Sequence, residues 1–404
     1  MPTSPPSDAP RRRVLVVVEN LPVPFDRRVW LEATTLRAAG YEVSVISPMG
    51  RGCTATYECI EGVHVHRHPA APEARTRALA FVREYLHALR HWFRLAGAVH
   101  RARGFDAIHG CNPPDLVWML ALRWRLRGVA YLFDHHDVCP ELFEAKFGRR
   151  GPLHAALRIM ERITFAVADV SIATNESFRS IAVDRGGMAP EDVFVVRSAP
   201  RAKSFQPGQG DPRFRRAATM LGWIGVIGQQ EGLELLVEAM AHLAAEGRDV
   251  HAVVIGTGPH ARAVEDAVAR AGLEDRFTFT GAVDGKTVLA ALNSCDIGVA
   301  PDPHNAMNDV STMNKVVEYM ALAKPTVQFA LREGRASAGD TALYARPNDP
   351  RDFAAKVGWL IDHPEAARGM GARARERVLG TLGWDNSVPH LLAAYDRLWE
   401  KRGL

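Results

Sequence analysis

Short runs of consecutive hydrophobic residues alternate along most of the chain with longer stretches in which apolar positions recur every three or four residues. The first run, Val14–Val18, consists mainly of valine, which is typical of a strand buried on both faces of a sheet. Helical periodicity follows from Arg27 to Gly40, and a second hydrophobic run occupies Val43–Ile46. This order of strand, helix and strand predicts an α/β fold with parallel sheets.

The same alternation predicts two series of strands. In the first series, further strands are predicted at Val63–His68, Ala107–His109, Ala130–Asp134, Val170–Ala173 and Val193–Val196. In the second series, strands are predicted at Thr219–Ile224, Val250–Ile255, Phe277–Phe279, around Ile297 and Val299, and at Thr326–Phe329. A polar stretch at 198–216, with three prolines, two glycines and five basic residues, separates the two series and is typical of a linker.

The two series predict two domains, because 404 residues are enough for two hydrophobic cores. The predicted division is a disordered tail at 1–12, a first domain at 13–200, a linker at 201–216, a second domain at 217–386 and a final helix at 387–404.

The net charge of +4 is unevenly distributed. Seven arginines from Arg75 to Arg103 accompany a single acidic residue, Glu84, and most of them lie on a predicted amphipathic helix at 77–103. Such a helix either presents a solvated basic face or contacts an anionic membrane surface or an acidic acceptor. No recognised nucleic-acid-binding motif accompanies the charge, so nucleic acid is not an expected partner.

The sequence favours a cytoplasmic protein. No hydrophobic stretch approaches the ~18 residues of a membrane-spanning helix. The N-terminus lacks the apolar segment of a signal peptide, and the five cysteines show no CxxC spacing, which favours a reducing compartment. Peripheral contact with the inner face of the membrane through the helix at 77–103 is an open alternative.

A loop after the predicted strand Ala130–Asp134 contains His135, His136 and Asp137. An imidazole in this place could donate to a sugar hydroxyl or transfer a proton near neutral pH. Alternatively, Asp137 caps the next turn and both histidines are solvated. A zinc site is not predicted, because a third and fourth ligand are missing at a useful spacing.

Two loops of the second series suit a phosphorylated ligand. Gly225–Gly232 is rich in glycine, so it could bring backbone N–H groups to a phosphate or form an ordinary strand-to-helix turn. The helix start at Ser311–Lys315 offers N–H groups and a lysine that suit a diphosphate. Glu318, one turn later, could accept hydrogen bonds from ribose hydroxyls. The alternative is a Ser or Thr N-cap with a surface lysine.

Two classes of site are disfavoured. The chain lacks the GxGxxG fingerprint of a nicotinamide-dependent dehydrogenase, and the loop Gly225–Gly232 lacks the Gly-Lys-Ser/Thr of a Walker sequence. Asp302 and His304 would leave most of a cation's coordination shell unfilled, so no metal is expected.

Taken together, these residues resemble the GT-B glycosyltransferases, and specifically the retaining family-4 enzymes, or glycosyl transferases group 1, over about residues 13–400. The strongest motif is STMNKVVEYMALAKPTVQF, which is similar to the family's signature helix. The supporting segments are PFDRRVWLEATTLRAAGYEVSVISP, DHHDVCPE, VVIGTGP, FTFTGAVDGKTV and SAGDTALYARPND.

The resemblance implies a fold and a reaction. Two Rossmann-like domains are expected to face each other across an interdomain cleft, with the helix at 387–404 packed back on the first. A hexosyl group would pass, with retention at the anomeric carbon, from a UDP-, GDP- or TDP-sugar to an acceptor. That acceptor would be a polysaccharide or lipid-linked intermediate, or a small natural product or thiol. No cofactor or metal is expected.

The resemblance also implies roles for individual residues. Glu318 matches the second glutamate of the family's Glu–seven residues–Glu motif and is expected to bind the donor ribose. His136 is expected to approach the donor sugar. The expected catalytic residues are His136, Asp137 and Glu318. The expected donor-binding residues are Gly228, Gln229, Gln230, Gly256, Gly258, Asn308, Asp309, Ser311, Thr312, Met313, Asn314, Lys315 and Glu318. The expected acceptor-side residues are Asp26, Arg27, Arg28, His109 and Asn112.

Three positions depart from the family pattern. Val310 replaces the first glutamate of the motif, and Val226 and Glu231 replace a phosphate-binding arginine and lysine. These changes remove positive charge and add a carboxylate near the expected diphosphate. They favour one open alternative, a non-catalytic protein that binds sugar nucleotides. A second open alternative is a nucleotide-sugar epimerase of the same fold, which would bind the donor without transferring its sugar to an acceptor.

Overall fold

The computed structural model describes residues 11–70, 78–148 and 150–403. The chain divides into two compact units. Unit 1 contains the described residues up to 140, together with 150–196 and 388–403, and unit 2 contains 141–148 and 197–387. Most of the tail predicted at 1–12 lies outside the described residues.

Unit 1 is built on an eight-stranded sheet. Its strands are β1 (Arg13–Val17), β2 (Glu42–Pro48), β3 (Tyr57–Ile60), β4 (Val63–His68), β5 (Ala107–Cys111), β6 (Ala130–His135), β7 (Val170–Ala173) and β8 (Val193–Val195). Their order is β3-β4-β2-β1-β5-β6-β7-β8, and all neighbours are parallel except β3 and β4. Every residue of β5 and β6 is buried, as expected for central strands covered on both faces.

Unit 2 is built on a six-stranded parallel sheet. Its strands are β9 (Thr219–Ile224), β10 (Val250–Ile255), β11 (Phe277–Gly281), β12 (Ile297–Ala300), β13 (Thr326–Phe329) and β14 (Ala342–Ala345). Their order is β11-β10-β9-β12-β13-β14.

Helices connect these strands and cover the sheets. Those before residue 200 are α1 (Arg27–Ala38), α2 (Ala78–Ala102), α3 (Val117–Arg125), α4 (Cys139–Phe147), α5 (Pro152–Val167) and α6 (Glu176–Ser180). Those after it are α7 (Leu233–Ala245), α8 (Ala261–Arg270), α9 (Gly285–Ser294), α10 (Ala306–Val310), α11 (Asn314–Ala321), α12 (Arg332–Ala338), α13 (Pro350–Asp362), α14 (Pro364–Arg377) and α15 (Trp384–Arg402).

The strands of both predicted series are confirmed, with ends that differ by at most two residues. Two further strands, β3 and β14, are missing from the sequence-based prediction. β3 is mostly exposed at a sheet edge, so it lacks a hydrophobic run. β14 is a short edge strand whose two alanines carry little hydrophobic signal.

Two segments differ from their predicted extent. The stretch 201–216, predicted as a linker, clusters with unit 2. There Gly208 N donates to Asn293 Oδ1 at 3.0 Å and Asp211 N donates to Ser294 Oγ at 2.7 Å. The final helix, α15, begins three residues before the predicted start, and its residues from 388 belong to unit 1.

The basic helix predicted at 77–103 is α2, although Arg77 lies outside the described residues. Four exposed residues, Arg83, Leu86, Arg90 and Arg94, recur at helical spacing along one face of α2. None of the helices in the described ranges is both long enough and apolar enough to cross a membrane.

Each sheet has one position at which the strand order reverses. It lies between β1 and β5 in unit 1, and between β9 and β12 in unit 2. Open α/β sheets bind ligands outside the carboxyl ends of the strands at such a position. Two loops follow β9 and β12, and we call them the β9 loop (225–232) and the β12 loop (301–313). The topology therefore places these loops side by side.

Tyr319 ties α11 to the two strands at this position. Its hydroxyl accepts from Ile224 N at 3.2 Å and donates to Val299 O at 3.2 Å. The aromatic ring covers Gly298 so closely that a Cβ there would lie 2.3 Å from Cδ2 of Tyr319. Only a glycine at 298 leaves room for this packing.

We expect Gly298→Ala to lower the midpoint of urea unfolding, because the added methyl group must displace the Tyr319 ring. Overpacking of this kind costs about 1–3 kcal/mol. Circular dichroism of the full-length chain measures the midpoint. Gly285→Ala is the control, since a Cβ there meets open space at the start of α9. Equal midpoints for Gly298→Ala and the unmodified chain would contradict the proposed packing.

Candidate functional site

Glycines bring the loops of unit 2 into backbone contact at the carboxyl edge of its sheet. Gly232 has a φ of 67°, and a Cβ there would lie 2.2 Å from Pro301 O. A Cβ at Gly258 would lie 2.3 Å from Ile227 O, and one at Gly256 would lie 2.0 Å from the first carbonyl of the β9 loop. The predicted donor residues Gly256 and Gly258 thus allow the β9 loop to pack against β10.

Asn308 fastens the β9 loop to the β12 loop. The β9 loop forms a 3₁₀ turn, Gln229–Glu231, immediately after Gly228. Asn308 Nδ2 donates to Gln230 O at 3.0 Å and to Pro303 O at 2.9 Å, and the Asn308 residue is 1% exposed. Four predicted donor residues, Gly228, Gln229, Gln230 and Asn308, are therefore brought together, and Asn308 acts as a structural bridge.

Lys315 lies between two carboxylates. Its Nζ is 2.6 Å from Glu231 Oε2 and 2.6 Å from Asp302 Oδ1, and 5.2 Å from the centre of the Trp223 ring. Burial raises the pKa of Asp302 to about 6 although Lys315 opposes the shift. Burial would lower the pKa of Lys315, but the two carboxylates raise it above its ordinary value. The lysine charge that the sequence assigned to a diphosphate is therefore already paired.

The helix start predicted at Ser311–Lys315 is the N-terminus of α11. Met313 is its N-cap residue and provides no side-chain cap. Ser311 Oγ donates instead to Met307 O at 2.7 Å, so the alternative of a serine or threonine N-cap is wrong. Glu318 lies one turn into α11 and is 7% exposed. This helix thus begins at the β12 loop without a capping oxygen from its N-cap residue.

The other predicted donor residues lie in the same loops or at the first position of α11. Asp309 Oδ1 accepts from Arg332 N at 2.9 Å, which ties the end of α10 to α12. The remaining predicted donor residues are partly or fully exposed; they are Gln229, Ser311, Thr312, Met313 and Asn314.

In unit 1, β6 carries a buried carboxylate, Asp134, that collects polar groups from several elements. Arg28 donates to it from Nε at 3.1 Å and from Nη2 at 2.7 Å, and Arg28 Nε is also 3.1 Å from Glu32 Oε1. His136 Nε2 contacts Asp134 Oδ2, and His109 Nε2 is 3.4 Å from the same oxygen. One arginine therefore lies between two buried carboxylates.

The two carboxylates differ in their affinity for a proton. Burial would raise the pKa of Asp134, but Arg28 and His136 lower it well below its ordinary value. Burial raises the pKa of Glu32 well above its ordinary value, and Arg28 only partly offsets this effect. A proton is therefore held more readily on Glu32 than on Asp134.

Asn112 fixes the loop that carries His136. Its Oδ1 accepts from His136 N at 2.7 Å and from Asp137 N at 3.1 Å. Its Nδ2 donates to Asp137 O at 2.6 Å and to Asp115 Oδ1 at 2.8 Å. Asn112 is 1% exposed, so it is buried below the loop. It positions the imidazole of His136 indirectly, by holding the backbone of that loop.

Four of the five predicted acceptor-side residues are buried within unit 1; they are Asp26, Arg28, His109 and Asn112. Asp26 caps α1, and His109 Nδ1 lies 2.9 Å from the hydroxyl of Tyr395 on α15. Arg27 alone is exposed. Glu32 and Tyr395 are not among the predicted site residues, because they lie inside the helices α1 and α15 and not in a polar loop after a strand.

Four potential metal ligands meet in this cluster. Glu32, Cys111, Asp134 and His136 offer ligand atoms within 4.8 Å of one another. The fold thus supplies the further ligands that sequence spacing did not show. However, the Arg28 guanidinium already contacts both carboxylates. A divalent cation would have to displace this arginine or lie beside its charge, so the donor set does not fit a metal.

Comparison with known proteins reveals the family. Residues 25–199 match the family described as Glycosyl transferase 4-like domain, and residues 218–363 match Glycosyl transferases group 1. A 2-deoxystreptamine glucosyltransferase of Streptomyces kanamyceticus is 28% identical over 69% of this chain and 63% of its own length, which is just under two thirds. A D-inositol 3-phosphate glycosyltransferase of Kineococcus radiotolerans is 27% identical over 92% of this chain and 89% of its own length.

Solved structures share the fold. Sucrose-phosphate synthase from Thermosynechococcus elongatus has a TM-score of 0.78 at 18% identity, covering 96% of this chain and 100% of that one. Anabaena HepE in complex with UDP and glucose has a TM-score of 0.72 at 13% identity, covering 96% of this chain and 100% of that one. Both folds agree with the parallel-sheet units described above, and the chain belongs to the group 1 glycosyltransferases of GT-B fold.

Proposed function

We propose that this glycosyltransferase moves a hexosyl group from a nucleoside-diphosphate sugar to a hydroxylated acceptor with retention at the anomeric carbon. Unit 2 binds the donor in this proposal, and unit 1 contributes the acceptor side. The observation that carries the proposal is the meeting of the β9 loop, the β12 loop and the start of α11 where the strand order of unit 2 reverses.

The N-terminus of α11 is suited to the diphosphate of the donor. The first N–H groups of a helix lack intrahelical acceptors and attract anions. The N-cap residue, Met313, offers no side-chain oxygen to these groups. Glu318, one turn further, can accept hydrogen bonds from two ribose hydroxyls. Because Glu318 is 7% exposed, such hydrogen bonds would form in a largely desolvated place, where they are strong.

Retention by front-face attack places modest demands on the protein. The bond from the anomeric carbon to the phosphate oxygen breaks while the acceptor oxygen bonds to the same face. The departing phosphate oxygen takes the proton of the acceptor hydroxyl. The protein must therefore stabilise the charge on the leaving diphosphate and hold both substrates in place. The α11 N-terminus supports the first of these tasks.

His136 is the side chain of unit 1 that we assign to the sugar. Its side chain is 12% exposed, and its Nε2 contacts the buried Asp134. Because Nε2 faces this carboxylate, Nδ1 is the ring nitrogen left for a substrate. Held in this way by Asp134 and by the backbone bonds of Asn112, the imidazole would share a hydrogen bond with a sugar hydroxyl.

Two acceptor classes have separate support. The relatives are named for transfer to 2-deoxystreptamine and to D-inositol 3-phosphate, which favours a small polyhydroxylated acceptor. The exposed face of α2, with Arg83, Leu86, Arg90 and Arg94, favours a lipid-linked acceptor at an anionic membrane. The five free cysteines fit a cytoplasmic location in either case.

We expect one of UDP, GDP, TDP and ADP to raise the melting temperature of the full-length chain far more than the others. A ligand at 100 times its dissociation constant stabilises the folded state by about 2.7 kcal/mol. Glu318→Ala should reduce that thermal shift, because the ribose loses its acceptor.

Glu238→Ala is the matched control for this panel, since Glu238 is an exposed carboxylate of α7. Its thermal shift should equal that of the unmodified chain. The donor role of unit 2 would be refuted by the absence of a shift with every nucleotide. An unchanged shift in Glu318→Ala would refute only the ribose assignment.

We expect His136→Ala to lower kcat by about 10²-fold, because the sugar loses a hydrogen bond that holds it in line with the acceptor. The thermal shift with the nucleoside diphosphate should stay unchanged, because the base and diphosphate bind unit 2. Release of nucleotide from the donor in the presence of an acceptor mixture measures turnover. His154→Ala, at a partly exposed histidine of α5, should retain full turnover. Full activity in His136→Ala would refute the assignment.

We expect the chain to sediment with vesicles that contain anionic lipid if the acceptor is lipid-linked, and to do so less as salt is raised, because surface charges are screened. Replacing Arg83, Arg90 and Arg94 by glutamate should abolish sedimentation. The matched control replaces Arg213, Arg262 and Arg368, which are exposed residues of unit 2. No sedimentation of the unmodified chain would favour the small acceptor.

A further inference from the structure

The two carboxylates beside Lys315 differ in their surroundings. Asp302 has a side chain that is 1% exposed, and its Oδ2 is buried without a hydrogen-bond partner among the described residues. Glu231 has a side chain that is 20% exposed and belongs to the short 3₁₀ turn of the β9 loop. Asp302 is therefore the deeply buried partner of Lys315, whereas Glu231 contacts the lysine from a partly exposed turn.

The charge of the cluster is the second observation. Lys315, Asp302 and Glu231 together carry a formal charge of −1 when both carboxylates are ionised, because Asp302 alone already balances the lysine. Both oxygen atoms in contact lie 2.6 Å from the same Nζ. The ammonium has three donor hydrogens, and two of them are thus used inside the protein.

The negative charge of this cluster lies beside the start of α11. Lys315 is the second residue of α11, so its side chain belongs to the helix turn at which we place the donor diphosphate. An anion bound there meets a lysine that is already shared and a carboxylate of its own sign. Like charges that approach closely in a partly desolvated place repel strongly.

We propose that Glu231 is an affinity-determining residue that opposes the binding of the donor diphosphate and is displaced from Lys315 when the diphosphate binds. This inference rests on the proposed donor role of unit 2. Lys315 would then exchange Glu231 for a phosphate oxygen and keep Asp302. The N–H groups of α11 and Lys315 together would hold the diphosphate. Its affinity would depend on how strongly Glu231 competes with the phosphate oxygen for Lys315.

The test compares inorganic pyrophosphate and UDP as probes by isothermal titration of the full-length chain. Pyrophosphate measures the binding of the diphosphate group alone, because it carries no base or ribose. Glu231→Gln keeps the shape of the side chain and removes the competing charge. We expect it to bind both probes about tenfold more tightly than the unmodified chain, and we expect this difference to shrink in 0.5 M NaCl because salt screens the carboxylate.

Glu234→Gln is the matched control. Glu234 lies three residues further along, contacts His260 and has a side chain that is 39% exposed, so its replacement changes the net charge equally without touching Lys315. Its affinity for pyrophosphate should equal that of the unmodified chain. A gain in Glu234→Gln as large as in Glu231→Gln would overturn the proposal, because net charge would then account for it.

Two further outcomes separate this inference from the proposed function. Equal or weaker binding of pyrophosphate by Glu231→Gln, with clear binding by the unmodified chain, would overturn the inference and leave the donor role intact. Binding of neither pyrophosphate nor UDP to any of the three proteins, all folded by their melting curves, would overturn both.

Discussion

Each unit buries one cation between two carboxylates, and the polar loops around the strand ends depend on that balance. In unit 1 the cation is Arg28 between Asp134 and Glu32, and in unit 2 it is Lys315 between Asp302 and Glu231. Breaking a buried ion pair by removing one partner costs about 3–5 kcal/mol, because the remaining charge is left uncompensated. The arginine and the lysine therefore hold elements together as well as carrying charge.

The two clusters differ in what they leave accessible. The unit 1 cluster is largely buried, and among its described members His136, whose ring contacts Asp134, has the most exposed side chain. Asn112 adds backbone hydrogen bonds that hold the same loop. Two of the residues expected on the acceptor side thus have structural contacts beside this imidazole, since Arg28 donates to Asp134 and Asn112 holds the loop that carries His136. In unit 2, Glu231 is partly exposed on a short turn, so that cluster can change its partners more easily.

Two positions of the β9 loop, 226 and 231, carry less positive charge than the family resemblance implies. Val226 is 53% exposed where the resemblance implies an arginine, and Glu231 occupies the place for which it implies a lysine. The donor diphosphate of this chain would therefore depend more on backbone N–H groups than on side-chain charge. The favourable effect of a helix N-terminus on an anion is about 0.3–1 kcal/mol when exposed and up to ~2 kcal/mol when partly buried. Each neighbouring charge then has a measurable influence on donor affinity.

The sequence by itself determined the succession of elements and the edge of each sheet at which the chemistry lies. Hydrophobic runs such as Val14–Val18 are a local signal, because a strand buried on both faces requires consecutive apolar residues. The signature around Glu318 likewise depends on neighbours in sequence. Edge strand β3 escaped prediction because its residues are mostly exposed and so carry no such pattern.

Only the tertiary structure decided which polar residues meet. Lys315 is 13 residues from Asp302 and 84 from Glu231, and Arg28 is 106 residues from Asp134. Contacts at such separations follow from strand order and from the need to pair every buried charge, and neither is a property of any short segment. The sequence could therefore name the loops of the site, whereas the fold showed that a lysine expected to meet the diphosphate is already paired.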